Sequence, residues 1–281
     1  MPLFTFLKSP SFWILSKYYQ LEQDLEHNLK NYELAHNIDA IYRFLWDDFA
    51  SWYVEYLKTA NEVELAFAKD LFRQFVITAS AYCPFETEVL WSQFFGESQL
   101  LANFVKDSNW TTKAFEIYFG CYQLDNLTHH QDYLEFETVI EFVTSMRSLR
   151  GLFAIDPVVE IQVWTQSPLL HKYQDFIKLV SKSTVCPQSQ DNYYTVTTKT
   201  YDYKINILEY IKDIEWEIAR TNKLIESLDK QIQALQKQLG NSSFVDNASS
   251  DIIQEKQSNL SDRQLEIKQQ QDKLTFFGDS Q

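Results

Sequence analysis

Between Ile211 and Leu239, side chains return at alternating steps of three and four: Ile211, Ile214, Ile218, Thr221, Ile225, Leu228, Ile232, Leu235 and Leu239. A long helix that lays one continuous seam against a partner repeats in this way. Thr221 is the single polar position on that seam. Gly240-Asn241 is a suitable C-terminal stop. Ser249 or Ser250 can cap a second helix, with Asp251 in its first turn, where negative charge suits the helix dipole. In this second helix Ile253, Leu260, Ile267 and Leu274 recur, while Lys256, Arg263 and Gln270 take the alternate seam. The pattern predicts an antiparallel coiled-coil hairpin. At about 1.5 Å per residue, an arm of roughly 28 residues projects about 40 Å. In general terms such a hairpin is a dimerisation or spacer element.

The segment Ile41–Lys58 sets a second constraint. Ile41, Leu45, Phe49, Trp52 and Tyr56 share one helical face, and Trp46 and Tyr53 form an aromatic strip on another. A helix aromatic on two sides is expected to lie buried between other helices, with Asp47, Asp48 and Glu55 on a wet or paired face. Other helices are predicted over Phe12–Lys30, Glu62–Tyr82, from Pro84 onward and over Tyr133–Arg150, each with its own apolar stripe. Gly96–His130 is poorly periodic. Val158–Trp164 alternates and reads as a strand, Pro168–Lys182 as a helix, and Thr195–Ile207 as one or two further strands. The expected fold is mainly α. A helical bundle covers 1–108 and continues with an irregular insertion over 109–157. A small α/β module follows over 158–209, and the coiled-coil arm over 210–276.

Composition narrows the functional classes. The five glycines form no phosphate-cradling loop. Cys83, Cys121 and Cys186 are far apart and make no Cys-x-x-Cys pair, which suggests reduced thiols and neither a disulfide frame nor a zinc site. His129 and His130 are adjacent and make a poor chelating pair. No apolar run approaches a membrane span, and the start does not read as a signal peptide. The net charge of -14 argues against holding nucleic acid by bulk charge. From Lys212 to Lys273 there are nine basic and eleven acidic residues, a net of -2, so -12 falls on the remainder.

Several stretches carry a resemblance. The order Trp46, Asp47, Asp48, Phe49, Ser51, Trp52, Tyr53 is similar to the central helix of the anticodon-binding domain in the valine–tRNA ligase family. Phe12–Lys17, FWILSK, resembles the RWILSR-like opening of that domain. Pro84, Phe85, Thr87, Glu88, Leu90 and Trp91 match its HPFMPFITEELWQ signature, although Ser80 and Ala81 replace the upstream His-Pro pair. Ser145–Ile155 resembles its IRNLRAEMNI stretch, with Arg147 and Arg150 on the two arginines. Glu217, Ile218, Ala219, Arg220, Leu239, Asn241, Phe244, Val245, Asn247 and Ala248 match the family's C-terminal arm, with Ser249 in place of the usual proline.

The resemblance implies a class I anticodon-binding bundle, a small α/β module and a tRNA-binding arm. Its implied partner is valine tRNA, oriented for aminoacylation in the cytoplasm, with no DNA and no membrane. The ATP loops of the class, His-x-Gly-His and Lys-Met-Ser-Lys-Ser, are not found, and no catalytic residue is assigned. ATP and magnesium would belong to a catalytic domain or a separate catalytic chain, no cofactor is expected in this chain, and the chain alone is expected to be inactive. The implied RNA contacts are Lys17, Arg43, Arg147, Arg150, Arg220, Lys223, Lys230 and Lys237. All but Arg43 also have a plainer use. Lys17 reads as a solvated lysine, Arg147 and Arg150 as partners of the acidic bundle, and the arm cations as coiled-coil flanks. The alternative function is a stand-alone tRNA-binding or coiled-coil interaction protein with no ligase role.

Overall fold

A computed structural model describes residues 7–96, 109–120, 123–187, 193–197, 202–241 and 249–279. The chain is mainly α, with one four-stranded mixed sheet among the described residues. Backbone contacts divide it into two compact units. One comprises Met1–Thr144 and Pro168–Val180; the other comprises Ser145–Ser167 and Ser181–Gln281.

The first unit is a helical bundle. Helix α1 (Ser9–Lys30) begins three residues earlier than the sequence pattern suggests, because Pro10 sits in its first turn, where the missing N–H costs nothing. It buries Phe12, Trp13, Ile14, Leu15, Tyr18, Leu21 and Leu25. Helix α2 (Leu34–Arg43) runs into a π-helical segment, Phe44–Tyr53, and then into α3 (Val54–Leu57). The Val54 N–H donates to the Phe49 carbonyl and the Ser51 hydroxyl to the Trp46 carbonyl, both five residues back.

The wider winding changes which side chains face inward. The buried set is Ile41, Phe44, Phe49, Tyr53 and Tyr56, with a step of five between Phe44 and Phe49. The expected second buried strip does not form. Tyr53 is fully buried, but Trp46 is 59% exposed and stacks on Tyr42 at 6.3 Å. A uniform 3.6-residue period cannot anticipate this phase change.

Helix α4 (Glu62–Ala79) starts on a complete capping box, in which the Asn61 side chain accepts from Val63 and Glu64 N–H and Glu64 reaches back to Asn61 N–H. Glu64 is wholly buried, and Tyr56 Oη donates to it at 2.6 Å. Helix α5 (Pro84–Phe95) buries Trp91. Helix α6 (Trp110–Phe119) forms inside the stretch that lacks periodicity. It is held by ring packing, with Phe119 at 5.1 Å and Phe115 at 5.4 Å from Phe12. His130 stacks on the same Phe12 ring at 4.3 Å. The first part of α7 (Gln131–Leu152) contributes Phe136, which meets Trp13, Tyr56 and Phe176.

The second unit holds the sheet, in the order β2-β1-β4-β3. Strand β1 (Ile161–Trp164) leads through α8 (Pro168–Lys172) and α9 (Gln174–Ser181) to β2 (Ser183–Cys186), which pairs parallel to it with Ile161 opposite Ser183. Strand β4 (Asp202–Ile205) pairs antiparallel both with β1 and with β3 (Tyr194–Thr197). Strand β2 is too short and too mixed, at Ser-Thr-Val-Cys, to stand out in the sequence. After a 3₁₀ turn at Ile207–Tyr210, α10 (Ile214–Leu239) is capped by Asp213, whose carboxylate accepts from the Trp216 N–H at 2.8 Å. Helix α11 (Ser250–Asp279) packs against α10 and runs antiparallel to it, since Lys273 near its end meets Glu217 near the start of α10. Phe244, Val245, Asn247 and Ala248 lie outside the described residues.

Candidate nucleic-acid interface

Lys17 lies on the inner part of α1. Its ammonium is 3.3 Å from Glu137 and 3.6 Å from Asp48, and it lies 5.2 Å from the Trp13 ring centroid. Trp13 Nε1 donates to the same Glu137 at 2.7 Å. Burial alone would depress Lys17, but Asp48, Tyr133 and Glu137 outweigh it and hold the lysine above its ordinary range. Burial raises the Asp48 carboxyl to about 6, against the pull of Lys17. Lys17 is therefore not the solvated lysine of the plain reading; it joins α1 to the π segment and to α7. Arg43, at the end of α2, is exposed between the stacked rings of Tyr42 and Trp46 in sequence.

In the second unit, Arg147 and Arg150 part company. Arg147 is exposed, whereas Arg150 is 7% exposed. The Arg150 guanidinium donates to the carbonyls of Ser181, Lys182 and Asp156 at 2.9–3.2 Å. Its hydrogen-bond partners are thus backbone carbonyls, those of Ser181 and Lys182 at the entry to β2 and that of Asp156 ahead of β1, not the acidic side chains that sequence reasoning suggests. Burial pulls its pKa down, opposed by Tyr210 and Asp156.

The foot of the arm is an ionic cluster that the sequence pattern hides. Glu217, only 2% exposed, accepts from Lys273 and, at 2.6 Å, from Arg220. Lys273 is 1% exposed, donates to the Leu152 carbonyl at 2.6 Å and lies 5.2 Å from the Phe153 ring centroid. Burial depresses its pKa and Glu217 pushes back. A lysine beside the seam residue Leu274 reads as a solvated flank, so no sequence signal marks it. Arg220 serves this cluster and also lies 5.9 Å from the Trp216 ring centroid.

Above the foot, Lys223, Lys230 and Lys237 are all exposed on α10. Their seven-residue spacing places them on one stripe about 21 Å long. The structure thus brings Arg147, Arg150, Lys212, Trp216 and Glu217 to the walls of one cleft of about 1000 Å³. Arg43 and Lys17 belong to the bundle and do not meet. Lys212 and Trp216 escape sequence reasoning, although Trp216 gives a signal of its own: a large aromatic off the heptad seam, 59% exposed. Among the described residues no group of three or more His, Cys, Asp or Glu could hold a metal ion, and no helix is long and apolar enough to cross a membrane.

Comparison with known proteins agrees with this layout. Residues 11–164 match the anticodon-binding domain of tRNA ligase, and residues 213–276 match the valyl tRNA synthetase tRNA binding arm. The valine–tRNA ligase of Helicobacter hepaticus is 25% identical over 261 residues, which is 91% of this chain and 28% of that protein. That of Zymomonas mobilis is 22% identical over 279 residues, 91% of this chain and 29% of the relative. That of Thermotoga maritima is 24% identical over 266 residues, 90% and 29% respectively. The chain thus spans under a third of the length of these relatives. With a bundle that fits the first family over more than half its length and a two-helix arm that fits the second, the chain belongs to the anticodon-binding domain family of tRNA ligases and carries the valyl tRNA synthetase tRNA-binding arm.

Proposed function

We propose that this chain binds valine tRNA and orients it for aminoacylation, as the anticodon-binding and arm portion of a valine–tRNA ligase working in the cytoplasm. The activation of valine with ATP belongs, in this reading, to a catalytic domain or to a separate catalytic chain. The observation that carries the reading is the conjunction in one chain of an anticodon-binding bundle and a tRNA-binding arm.

The charge distribution supports a local mode of contact. A chain of net charge -14 repels polyanions at long range, so RNA must be met by confined cationic surface. The stripe of Lys223, Lys230 and Lys237 is such a surface, and it lies clear of the arm's seam. Arg220, one turn nearer the foot on the same helix, holds Glu217 at 2.6 Å and is only partly exposed. On the bundle, Arg43 beside the exposed Tyr42–Trp46 stack offers unpaired bases a ring face and a cation. Lys17 and Arg150 serve the fold in this reading, since their charges are already engaged by Asp48, Glu137 and three carbonyls.

The test is a salt titration of binding to valine tRNA and to a non-cognate tRNA. The expected result is a preference for valine tRNA and a log–log salt slope of about -2 or steeper, from three or more phosphate contacts at ~0.7–0.9 each. Absence of binding at low salt would refute the reading.

A further inference from the structure

One ammonium joins the ends of three helices at the foot of the arm. Lys273, near the end of α11, donates to Glu217 at the start of α10 and to the Leu152 carbonyl at the end of α7. Arg220 donates to the same Glu217 oxygen at 2.6 Å. Beside the ion pair, the rings of Phe153, Tyr194, Phe276 and Phe277 meet at centroid distances of 5.1–6.4 Å.

Rings and ions hold the foot in different ways. Apolar burial is non-directional, so the rings set the strength of attachment more than its angle. Hydrogen bonds from a charged donor are directional, and Lys273 makes two of them to groups on different helices. A buried ion pair is about as stable as the apolar side chains that could replace it, so stability alone does not account for this one. Its other use is to select one conformation among several.

The arm depends on such a selection. Among the described residues over 222–241 and 252–269, Leu228 is the only buried side chain. The outer arm is thus a half-open pair of helices, and its direction is set at the foot. Lys237 lies twenty residues beyond Glu217, about 30 Å at 1.5 Å per residue. A tilt of ~10° at the foot carries Lys237 by about 5 Å, farther than the roughly 4 Å of an ion-pair contact, and Lys223 by under ~2 Å.

We propose that Lys273 is a positioning residue: its bonds to Glu217 and Leu152 fix the angle of the arm, and so decide which tRNA phosphates Lys223, Lys230 and Lys237 meet. The tRNA part rests on the reading that the chain binds tRNA; the fixed angle does not.

The experiment measures the distance between two spin labels in the full chain by electron–electron dipolar spectroscopy. One label is carried by Val158→Cys ahead of β1 and one by Gln238→Cys towards the arm's tip, both exposed, with Cys83, Cys121 and Cys186 replaced by Ser. The parent is expected to give one narrow population. Lys273→Met combined with Glu217→Leu is expected to melt within about 4 °C of the parent. It should nevertheless widen the distance distribution by about 5 Å and lower the tRNA salt slope by about one, as contacts far from the foot are lost. Phe276→Leu, in the ring cluster, is the converse control, with a lower melting temperature and an unchanged width. An unchanged width in the double variant, or equal widening in Phe276→Leu, would overturn the fixed angle. So would a parent distribution already spread over about 10 Å, a result that needs no variant to fold. Widening with unaltered tRNA binding would overturn the tRNA part alone. A parent that binds no tRNA would overturn the proposed function and leave the widths to decide the angle.

Discussion

Replacing Lys273 by Met tests the ionic cluster at the arm's foot. Lys273 and Glu217 are both nearly inaccessible to solvent, with side chains 1% and 3% exposed. Removing one member of such a pair strands the other, at a cost of about 3–5 kcal/mol. Two details place this case at the lower end. Glu217 keeps Arg220 at 2.6 Å, and a methionine of similar length can still pack by the Phe153 and Phe277 rings, whose centroids lie 5.2 and 5.9 Å from the lysine ammonium. The Leu152 carbonyl also loses its donor, which costs on the order of 1 kcal/mol. We expect Lys273→Met to destabilise the arm by about 3 kcal/mol. The double variant Lys273→Met with Glu217→Leu should return to within about 1 kcal/mol of the parent, because a buried pair replaced by apolar groups is close to neutral. Urea unfolding followed by circular dichroism reads the size, and hydrogen exchange on peptides of α10 and α11 assigns it to the arm. A single-variant loss below about 1 kcal/mol, or strictly additive losses in the double variant, would refute the argument.

Tyr56→Phe should cost about 2 kcal/mol in urea unfolding, since it takes the hydroxyl donor from the wholly buried Glu64 carboxylate. The raised Asp48 carboxyl gives a pH signature. Its folded value of about 6 exceeds the ordinary value of 3.8, so folding takes up a proton between these pH values. The site contributes stability below about pH 4 and loses it as pH rises through 6, by about 1–2 kcal/mol after discounting for its partial exposure and for Lys17. Asp48→Asn should therefore gain on the parent as pH rises from 4 to 7, and identical pH profiles would contradict this. Replacing Lys223, Lys230 and Lys237 together by Ala should flatten the tRNA salt slope by about two to three, with the melting temperature unchanged; an unaltered slope would remove the stripe from the interface.

Periodic features translate faithfully from sequence to structure. Helix α10 follows its seam and α4 its stripe, because in each one local rule acts over many residues. Helix α6 and strand β2 are silent in sequence, being short and held by partners distant along the chain. The same cause hides the functional geometry. That Arg150 spends its donors on carbonyls 31 and 32 residues away, or that Lys273 seeks Glu217 across 56 residues, follows from tertiary approach and from no local pattern. Lys223, Lys230 and Lys237 are legible because a seven-residue spacing on a helix is itself a geometry. Trp46 is misread because its helix changes winding in the middle.

That change of winding has a consequence for how surface and core depend on one another. Each residue of an α-helix advances about 100° around the axis, so trading a π turn for an α turn rephases one end of the helix against the other by about that angle. Tyr42 precedes the π segment and Trp46 lies in its first turn, whereas Phe49 and Tyr53 come later in it and Tyr56 beyond its end. The outward aim of the aromatic pair is therefore set by the inward rings, as the angle of one crank is set by another on the same shaft. A substitution in the core at Phe49 or Tyr53 that let the segment rewind would turn Trp46 away from solvent without touching a surface atom.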